Sequence, residues 1–260
     1  MVIIEGSRWG WHDRMVFFPD QETLQQLIAS LAPVDILRVR QTAAALPDHP
    51  SLIQRSLFRT SCIDLTADLA ALYRAMDAKS CRYFIRKAER MLDRIHIHIN
   101  DATTYKDFLK LYNSFVRLKG HTHPLSERRF REYKQGSDVY VLYFDELAIC
   151  GHIWIRDETT RRVRLVHSVS SRLESAEAAH LSGTWNRYLH WYEMQTYKAT
   201  GIEIYDFGGV GDGTNSVAKF KLSFGGMRVQ DHSYVFAGAI GRWGYKAYRQ
   251  VTQLRKPLHV

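Results

Sequence analysis

The sequence contains few cysteines, and their arrangement argues against a disulfide framework. Three occur among 260 residues, at Cys62, Cys81 and Cys150, and no two of them form a Cys-x-x-Cys pair. An odd number of widely separated cysteines is typical of reduced thiols in a cytoplasm. We therefore expect a cytoplasmic protein that is stabilised by its core and not by covalent cross-links.

Long apolar stretches are also missing. No segment approaches the run of about eighteen apolar residues that a transmembrane helix requires. The start of the chain, Met1–Gly6, lacks the basic region and the apolar run of a signal peptide. We expect no transmembrane segment, although action at the inner face of the membrane remains compatible with this sequence.

Three common catalytic signatures are absent. The sequence has no Gly-x-Ser-x-Gly, no Gly-x-x-x-x-Gly-Lys-Ser/Thr and no His-Glu-x-x-His. Covalent serine chemistry, P-loop hydrolysis and zincin proteolysis therefore have no support. Two His-x-His pairs, His96/His98 and His121/His123, lack a third ligand at a known zinc spacing, so we predict no metal site.

Basic residues are abundant. Lys and Arg total 36 against 27 Asp and Glu, which gives a formal charge of +9 and a pI near 9.5. This balance favours an anionic partner, such as a nucleic acid, a phosphorylated nucleotide or an acidic membrane surface. The length fits one large domain or two small ones.

Hydrophobic periodicity predicts a mixed α/β chain. The first 18 residues suggest a hairpin, and 67–91 a helix with a break near Asp77. Alternating isoleucines predict a strand at 95–99. The remaining predicted elements are helices at 21–31, 102–118, 126–134 and 176–200, strands near 34–39, 56–65, 138–144, 147–156, 161–169, 202–206 and 227–236, a short helix after residue 214, and a basic helical tail.

The stretch from Gly201 to Gly226 combines a short strand, a glycine-rich loop and a short helix. Four glycines in six residues, from Gly208 to Gly213, allow positive φ and a close backbone approach. Thr214, Asn215 or Ser216 can cap the helix that follows. Converging N–H groups at such a loop and helix start favour an anionic ligand, whereas the alternative is a plain strand–turn–helix connection.

A second basic feature is the recurrence of arginine every four residues at Arg82, Arg86, Arg90 and Arg94. On a helix these residues would form one stripe. The stripe is either a solvated face paired with nearby acidic residues or a phosphate-binding face.

Two segments together resemble the FemABX peptidyltransferases. Asp206–Gly209 followed by Phe220–Gly226 is similar to their C-terminal signature, and Ile63–Leu65 followed by Cys81–Arg90 is similar to an earlier strand and helix of that family. The resemblance implies an α/β protein of the GNAT (acyl-CoA N-acyltransferase) fold, with a mixed central sheet flanked by helices. It further implies a reduced N-terminal GNAT-like half with a basic helix at 1–92 and a GNAT-like acyltransferase domain with a basic tail at 93–260.

The resemblance also implies roles for particular residues. Lys221 would stabilise the oxyanion of an acyl transfer, and the donor would bind at Phe220, Asp206, Gly208 and Gly209. For Asp206 we favour a structural role in the loop, as acceptor of the loop N–H groups. The acceptor's phosphates would bind at Arg82, Arg86, Lys87 and Arg90.

The donor is either aminoacyl-tRNA or acyl-CoA, used as a co-substrate with no tightly bound cofactor. The connection that would hold a CoA pyrophosphate, Ser170–Ala176, contains no glycine, which favours aminoacyl-tRNA. The expected reaction transfers an aminoacyl or acyl group to an amine of a phosphorylated or lipid-linked envelope precursor or another small acceptor. The alternatives are a CoA-dependent N-acetyltransferase acting on a sugar or amino acid, and a non-catalytic protein that binds RNA or a membrane surface. The sequence leaves the oligomeric state open.

Overall fold

The computed structural model describes residues 1–254 except 9, 44, 121–123, 135 and 172–174. The chain folds into two compact units, of which one combines Met1–Phe58 with Gln230–Val260 and the other is Arg59–Val229. The boundary predicted between residues 92 and 93 concerns something different, namely where one GNAT-like half ends and the other begins. That boundary stays a prediction.

The described residues form ten strands and eight α-helices. The strands are β1 (Val2–Arg8), β2 (Trp11–Phe17), β3 (Asp35–Thr42), β4 (Leu52–Asp64), β5 (Ile95–Ile99), β6 (Ser137–Phe144), β7 (Leu147–Asp157), β8 (Arg162–Ser170), β9 (Ile204–Gly209) and β10 (Met227–Ala237). The helices are α1 (Gln21–Ala29), α2 (Leu69–Ala75), α3 (Tyr83–Glu89), α4 (Ala102–Leu118), α5 (Glu127–Lys134), α6 (Ala176–Ala199), α7 (Ser216–Leu222) and α8 (Ala239–Leu254).

The first unit contains the strand order β1-β2-β3-β10. The predicted hairpin near the start of the chain is confirmed, since β1 and β2 pair antiparallel with Val2 opposite Phe17. Strand β3 is parallel to β2 and antiparallel to β10. Apolar side chains from these strands and from α1 form its core, among them Val16, Leu24 and Phe236.

The second unit contains the order β4-β9-β8-β7-β6-β5. Neighbouring strands are antiparallel except β8 and β9, which run parallel and pair from Arg162–Ile204 to Arg164–Asp206. The long helix α6 packs on this sheet and against α3. The largest fully buried side chains of this unit include Trp154, Trp185 and Tyr205.

The periodicity predictions agree with this unit closely. In β5 the isoleucines are half-buried and alternate with exposed His96 and His98, as a strand with one face on a core requires. Most of β7 is buried, because it lies inside the sheet between β6 and β8.

The predicted helix over 67–91 is interrupted at the predicted place. Helix α2 ends at Ala75, and Asp77 then caps a π-helical turn at Ala78–Arg82, accepting hydrogen bonds from the N–H groups of Lys79 and Ser80. Helix α3 continues directly from this turn. The Asp77 side chain favours the break, since a short acceptor side chain satisfies backbone donors best at a helix start.

Among the described helices, none has both the length and the apolar composition needed to span a bilayer.

Candidate functional site

Asp206 is fully buried at the point where β9 leaves its pairing with β8. Its Oδ1 accepts hydrogen bonds from the Gly208 N–H at 2.7 Å and from the Thr60 hydroxyl, and its Oδ2 lies 2.5 Å from Arg162 Nη2. The predicted acceptance of a loop N–H is therefore confirmed. These contacts give Asp206 the geometry of a structural residue that fixes the loop.

Gly208 occupies a position that no other residue fills without strain. Its φ is +69°, and an added Cβ would lie 2.8 Å from the carbonyl oxygen of Leu165. A left-handed backbone and a contact this close both require glycine. The loop therefore passes tightly against β8 before Gly209 ends the strand.

Helix α7 begins where the sequence predicts. Asn215 is its N-cap, and the Asn215 side chain accepts a hydrogen bond from the Ala218 N–H at 2.8 Å. Asp212 fixes the preceding turn through the Thr214 N–H and hydroxyl. This start places Phe220 and Lys221 in the last turn of the helix.

Lys221 faces back to the glycine loop. Its Nζ donates a hydrogen bond to the carbonyl oxygen of Gly209 at 2.8 Å. Burial lowers the pKa of Lys221 to about 8, the Arg164 charge acts in the same direction, and the Asp206 charge opposes both. The structure thus brings the four predicted donor-site residues and Lys221 together, with Gly208, Gly209 and Asp206 on the loop side.

Phe220 is half-buried and contacts a residue that the sequence did not single out. The Arg187 guanidinium lies between two aromatic rings, 4.9 Å from the centroids of both Phe84 and Phe220. Arg187 Nη1 also donates to the Gly183 carbonyl at 2.7 Å within α6. This sandwich connects α3, which contains Phe84, to the Phe220–Lys221 pair through α6.

The arginine stripe is shorter than predicted. Arg82 and Arg86 lie one turn apart on the π-helical turn and α3, and Arg90 is the C-cap of α3. Arg86 and Arg90 are exposed, whereas Arg82 and Lys87 are partly buried. The inclusion of Arg94 is wrong, because the chain turns at Met91 and a 3₁₀ turn at Leu92–Arg94 redirects it.

Arg94 has different partners. Its guanidinium forms an ion pair with Asp145 and lies 4.3 Å from the Phe144 ring centroid. These contacts belong to the hairpin between β6 and β7 and not to α3.

A buried polar network lies beneath Phe220. Glu193 of α6 is fully buried, and its carboxylate accepts hydrogen bonds from Trp154 Nε1 and the Tyr205 hydroxyl, both at 2.9 Å. His152 Nδ1 lies 2.8 Å from Glu193 Oε1, and its Nε2 lies 2.7 Å from Asn186 Oδ1.

A second histidine of this network lies against the first. The His190 ring stacks on that of His152 with centroids 4.1 Å apart, and its Nδ1 is 2.7 Å from the Tyr205 oxygen. The only sequence signal for the network is the i, i+3 spacing of His190 and Glu193 on one helix. His152 comes from a distant strand, β7, whose sequence is typical of a buried strand in a hydrophobic core.

Within the described part of the chain, His152, His190 and Glu193 are the three residues whose ligand atoms lie within 4.8 Å of one another. Coordination to one metal requires ring nitrogens that converge in the planes of both imidazoles. Here the two rings are nearly parallel, at 23°, and Glu193 already accepts several hydrogen bonds. The arrangement fits a proton-sharing network and does not fit a metal centre. The predicted lack of a metal at His121/His123 concerns residues outside the described part.

The connection between β8 and α6, whose missing glycines favour aminoacyl-tRNA, is described only in part, because Arg172, Leu173 and Glu174 lie outside the described residues. Ser171 and Ser175 on either side of them line a cleft of about 1300 Å³. Lys110 and Arg117 of α4 line the same cleft.

No family model matches the sequence, and no curated protein matches it. The fold, however, matches that of solved structures over nearly the whole chain. It is an α/β fold of the GNAT type in the arrangement of FemX, which confirms the fold class that the sequence predicts.

FemX superposes with a TM-score of 0.57 at 10% identity, covering 97% of this chain and 86% of FemX. The C-terminal domain assigned to a lysylphosphatidylglycerol synthetase from Agrobacterium fabrum gives a TM-score of 0.56 at 14% identity, covering 96% and 85%. L-PGS from Bacillus licheniformis gives 0.52 at 10% identity, covering 97% and 85%. At these identities the similarity establishes the fold alone.

Proposed function

We propose that this protein transfers an aminoacyl or acyl group from an activated donor to an amine of a phosphorylated or lipid-linked acceptor. The observation that supports this most directly is the position of Lys221, whose ammonium is fixed on the Gly209 carbonyl beside Phe220. Acyl transfer to an amine passes through a tetrahedral oxyanion. A cation in a partly desolvated site stabilises that oxyanion more strongly than the same cation in water.

The glycine loop and Phe220 are the proposed donor-binding elements. Gly208 and Gly209 present backbone close to Lys221, and the half-buried Phe220 ring offers a face for stacking on a nucleobase. Asp206 acts indirectly, by fixing the loop through the Gly208 N–H. This division of roles keeps one charged group, Lys221, next to the reacting carbonyl.

The proposed acceptor-binding surface consists of Arg82, Arg86, Lys87 and Arg90. Arg86 and Arg90 are exposed and available to phosphate oxygens. The Arg187 sandwich joins this surface to Phe220 within the second unit. In this proposal, a phosphate-bearing acceptor held on α3 extends its amine towards Lys221.

Aminoacyl-tRNA is the donor that we favour over acyl-CoA. FemX and L-PGS have this fold, and the name of lysylphosphatidylglycerol synthetase denotes transfer of a lysyl group to a phospholipid. The absence of glycine from residues 170–176 supports the same choice, because a CoA pyrophosphate binds best to a glycine-rich loop. A lipid acceptor would place the reaction at the cytoplasmic face of the membrane.

The test is a donor and acceptor screen with purified full-length protein. The donors are total tRNA charged with ¹⁴C-labelled amino acids and ¹⁴C-acetyl-CoA. The acceptors are glucosamine 6-phosphate, phosphatidylethanolamine vesicles and phosphatidylglycerol vesicles. We expect label transfer from charged tRNA to at least one acceptor. Transfer from acetyl-CoA alone would favour the N-acetyltransferase alternative, and no transfer from either donor would contradict the proposed function.

A further inference from the structure

His190 lies in an unusual environment next to the proposed reaction centre. Its ring is fully buried, with centroids 4.8, 5.3 and 5.7 Å from the rings of Phe207, Phe224 and Phe220. Its Nδ1 is 2.7 Å from the Tyr205 oxygen, whereas its buried Nε2 has no hydrogen-bond partner among the described residues. A buried polar atom without a partner is destabilising, and such an atom calls for an explanation.

The hydrogen bonds around Tyr205 determine which His190 nitrogen bears the proton. Burial acts to raise the pKa of Glu193, but its interactions with His152 and His190 outweigh burial and lower it to about 2. Glu193 is therefore a carboxylate that only accepts hydrogen bonds. The single hydroxyl proton of Tyr205 points to Glu193 Oε2, 2.9 Å away, because two oxygens at that distance would otherwise repel each other.

With its proton on Glu193, the Tyr205 oxygen can only accept from His190 Nδ1. His190 Nδ1 consequently bears the ring proton, and Nε2 keeps its lone pair. A base oriented by a second group, which is itself oriented by a carboxylate, is the arrangement found around catalytic histidines.

The aromatic rings around His190 differ in how deeply they are buried. Phe207 and Phe224 are buried, whereas Phe220 is only partly buried. Phe220 precedes Lys221 in α7, and the Lys221 charge is close enough to lower the pKa of His190. The side of His190 that faces Phe220 is therefore the side nearest to the proposed donor site.

We propose that His190 is the proton acceptor of the transfer reaction, receiving through Nε2 the proton that the attacking amine loses. This assignment rests on the proposed function and supplies the base that the sequence did not reveal.

The amine nitrogen forms a bond to the donor carbonyl carbon, and the π electrons move to the carbonyl oxygen, next to Lys221. His190 Nε2 takes one N–H proton from the amine. As the oxyanion collapses, the bond to the leaving oxygen of tRNA breaks, and the His190 imidazolium returns the proton to that oxygen.

The charged and titratable groups facing His190 come from four elements: His152 on β7, Glu193 on α6 itself, Tyr205 on β9 and Lys221 on α7. Burial is the main cause that lowers the pKa of His190, to about 3; His152 and Lys221 act in the same direction and Glu193 opposes them. The Nε2 lone pair is therefore free near pH 7, before the amine arrives.

The test replaces His190 with Asn in the full-length protein. The Asn side-chain amide can still donate to Tyr205 from the Nδ1 position, but it offers no basic lone pair at the Nε2 position. We expect kcat with charged tRNA and the acceptors named above to fall by roughly 10²–10⁴-fold, the usual contribution of general base catalysis. Thermal unfolding should remain a single cooperative transition.

His167→Asn is the matched control. Burial also lowers the pKa of His167, to about 4, and its Nε2 has no partner among the described residues, yet its ring packs on Tyr112 and Tyr133 instead of Phe220. This variant should retain wild-type kcat. If the wild type is active and His190→Asn is equally active, the catalytic role of His190 is overturned, and the proposed function is not affected. If the wild type itself is inactive, both the proposed function and the catalytic role are overturned.

A second measurement does not depend on activity. Long-range ¹H–¹⁵N spectra of ¹⁵N-histidine-labelled protein, with the His190 signals identified from the His190→Asn variant, report which nitrogen is protonated. We expect protonation at Nδ1 in the wild type. In Tyr205→Phe some molecules should switch to Nε2, and kcat should fall in proportion. Protonation of His190 at Nε2 in the wild type would overturn the proposal even if the Asn variant failed to fold.

Discussion

Lys221 Nζ donates a hydrogen bond to the carbonyl oxygen of Gly209, 2.8 Å away, and this contact closes the loop between β9 and α7. It holds the ammonium where a partly buried environment lowers the pKa of the group to about 8. The glycine loop and the Phe220–Lys221 pair therefore form one site.

The pKa of Lys221 predicts an alkaline limit to activity. Because the folded value of about 8 lies below the ordinary value of 10.5, Lys221 is a cation below pH 8 and loses its charge as pH rises through that value. We expect kcat to decline above about pH 8. Lys221→Arg should shift that decline to higher pH, since arginine keeps its charge. A kcat that stays constant to pH 10 in the wild type would contradict a role for the Lys221 charge.

Asp206 should affect stability before it affects chemistry. Asp206→Ala leaves the Gly208 N–H, the Thr60 hydroxyl and Arg162 without their buried acceptor. We expect the free energy of unfolding to fall by about 1–3 kcal/mol or more, measured by urea denaturation. Asp212→Ala is the control, because the Asp212 side chain accepts hydrogen bonds from Thr214 in an exposed turn. Equal stability of the two variants would show that Asp206 does not fix the loop.

Gly208 and Gly211 separate two effects of alanine substitution. Both have positive φ, but an added Cβ at Gly208 would meet the Leu165 carbonyl, whereas Gly211 has no atom within 4 Å of that position. Gly211→Ala should cost only the left-handed backbone strain, about 1 kcal/mol. Gly208→Ala should cost more and lower kcat, because the loop must move away from β8. Equal melting temperatures would contradict the close approach.

Arg86 and Arg90 should bind polyanions. Replacing both with Glu should weaken tRNA binding and flatten its salt dependence. Fewer phosphates are then neutralised, and fewer counterions are released on binding. Arg94→Ala is the control, since Arg94 is paired with Asp145 on the β6–β7 hairpin. Filter-binding isotherms across a salt series measure both quantities. An unchanged isotherm for the double variant would show that Arg86 and Arg90 form a solvated face of α3 and do not bind polyanions.

The sequence predicts most of the elements because their signals are local. Helix α4 and the isoleucine alternation of β5 show their periodicity directly, and Asp77 and Asn215 mark helix starts with short acceptor side chains. The prediction for Arg94 failed for a local reason as well. In the sequence, the arginines keep their four-residue spacing past Glu89, but helix α3 ends there.

The rest of the site depends on contacts between distant segments. Arg187 stacks on Phe84 and Phe220 only after α3, α6 and α7 assemble. The tautomer of His190 depends on Tyr205, which comes from another strand. No spacing in a single sequence specifies such contacts, because each residue taken alone fits an ordinary core position.

The role of Lys221 is tested by the turnover of Lys221→Ala with the donor and acceptor pair that the wild type uses. If Lys221 stabilises the oxyanion, kcat should fall by roughly 10²–10³-fold while the melting temperature stays close to that of the wild type. Lys219→Ala, which removes an exposed lysine from the same helix, should leave kcat unchanged. Full turnover by Lys221→Ala would show that Lys221 does not stabilise the oxyanion and only fixes the loop.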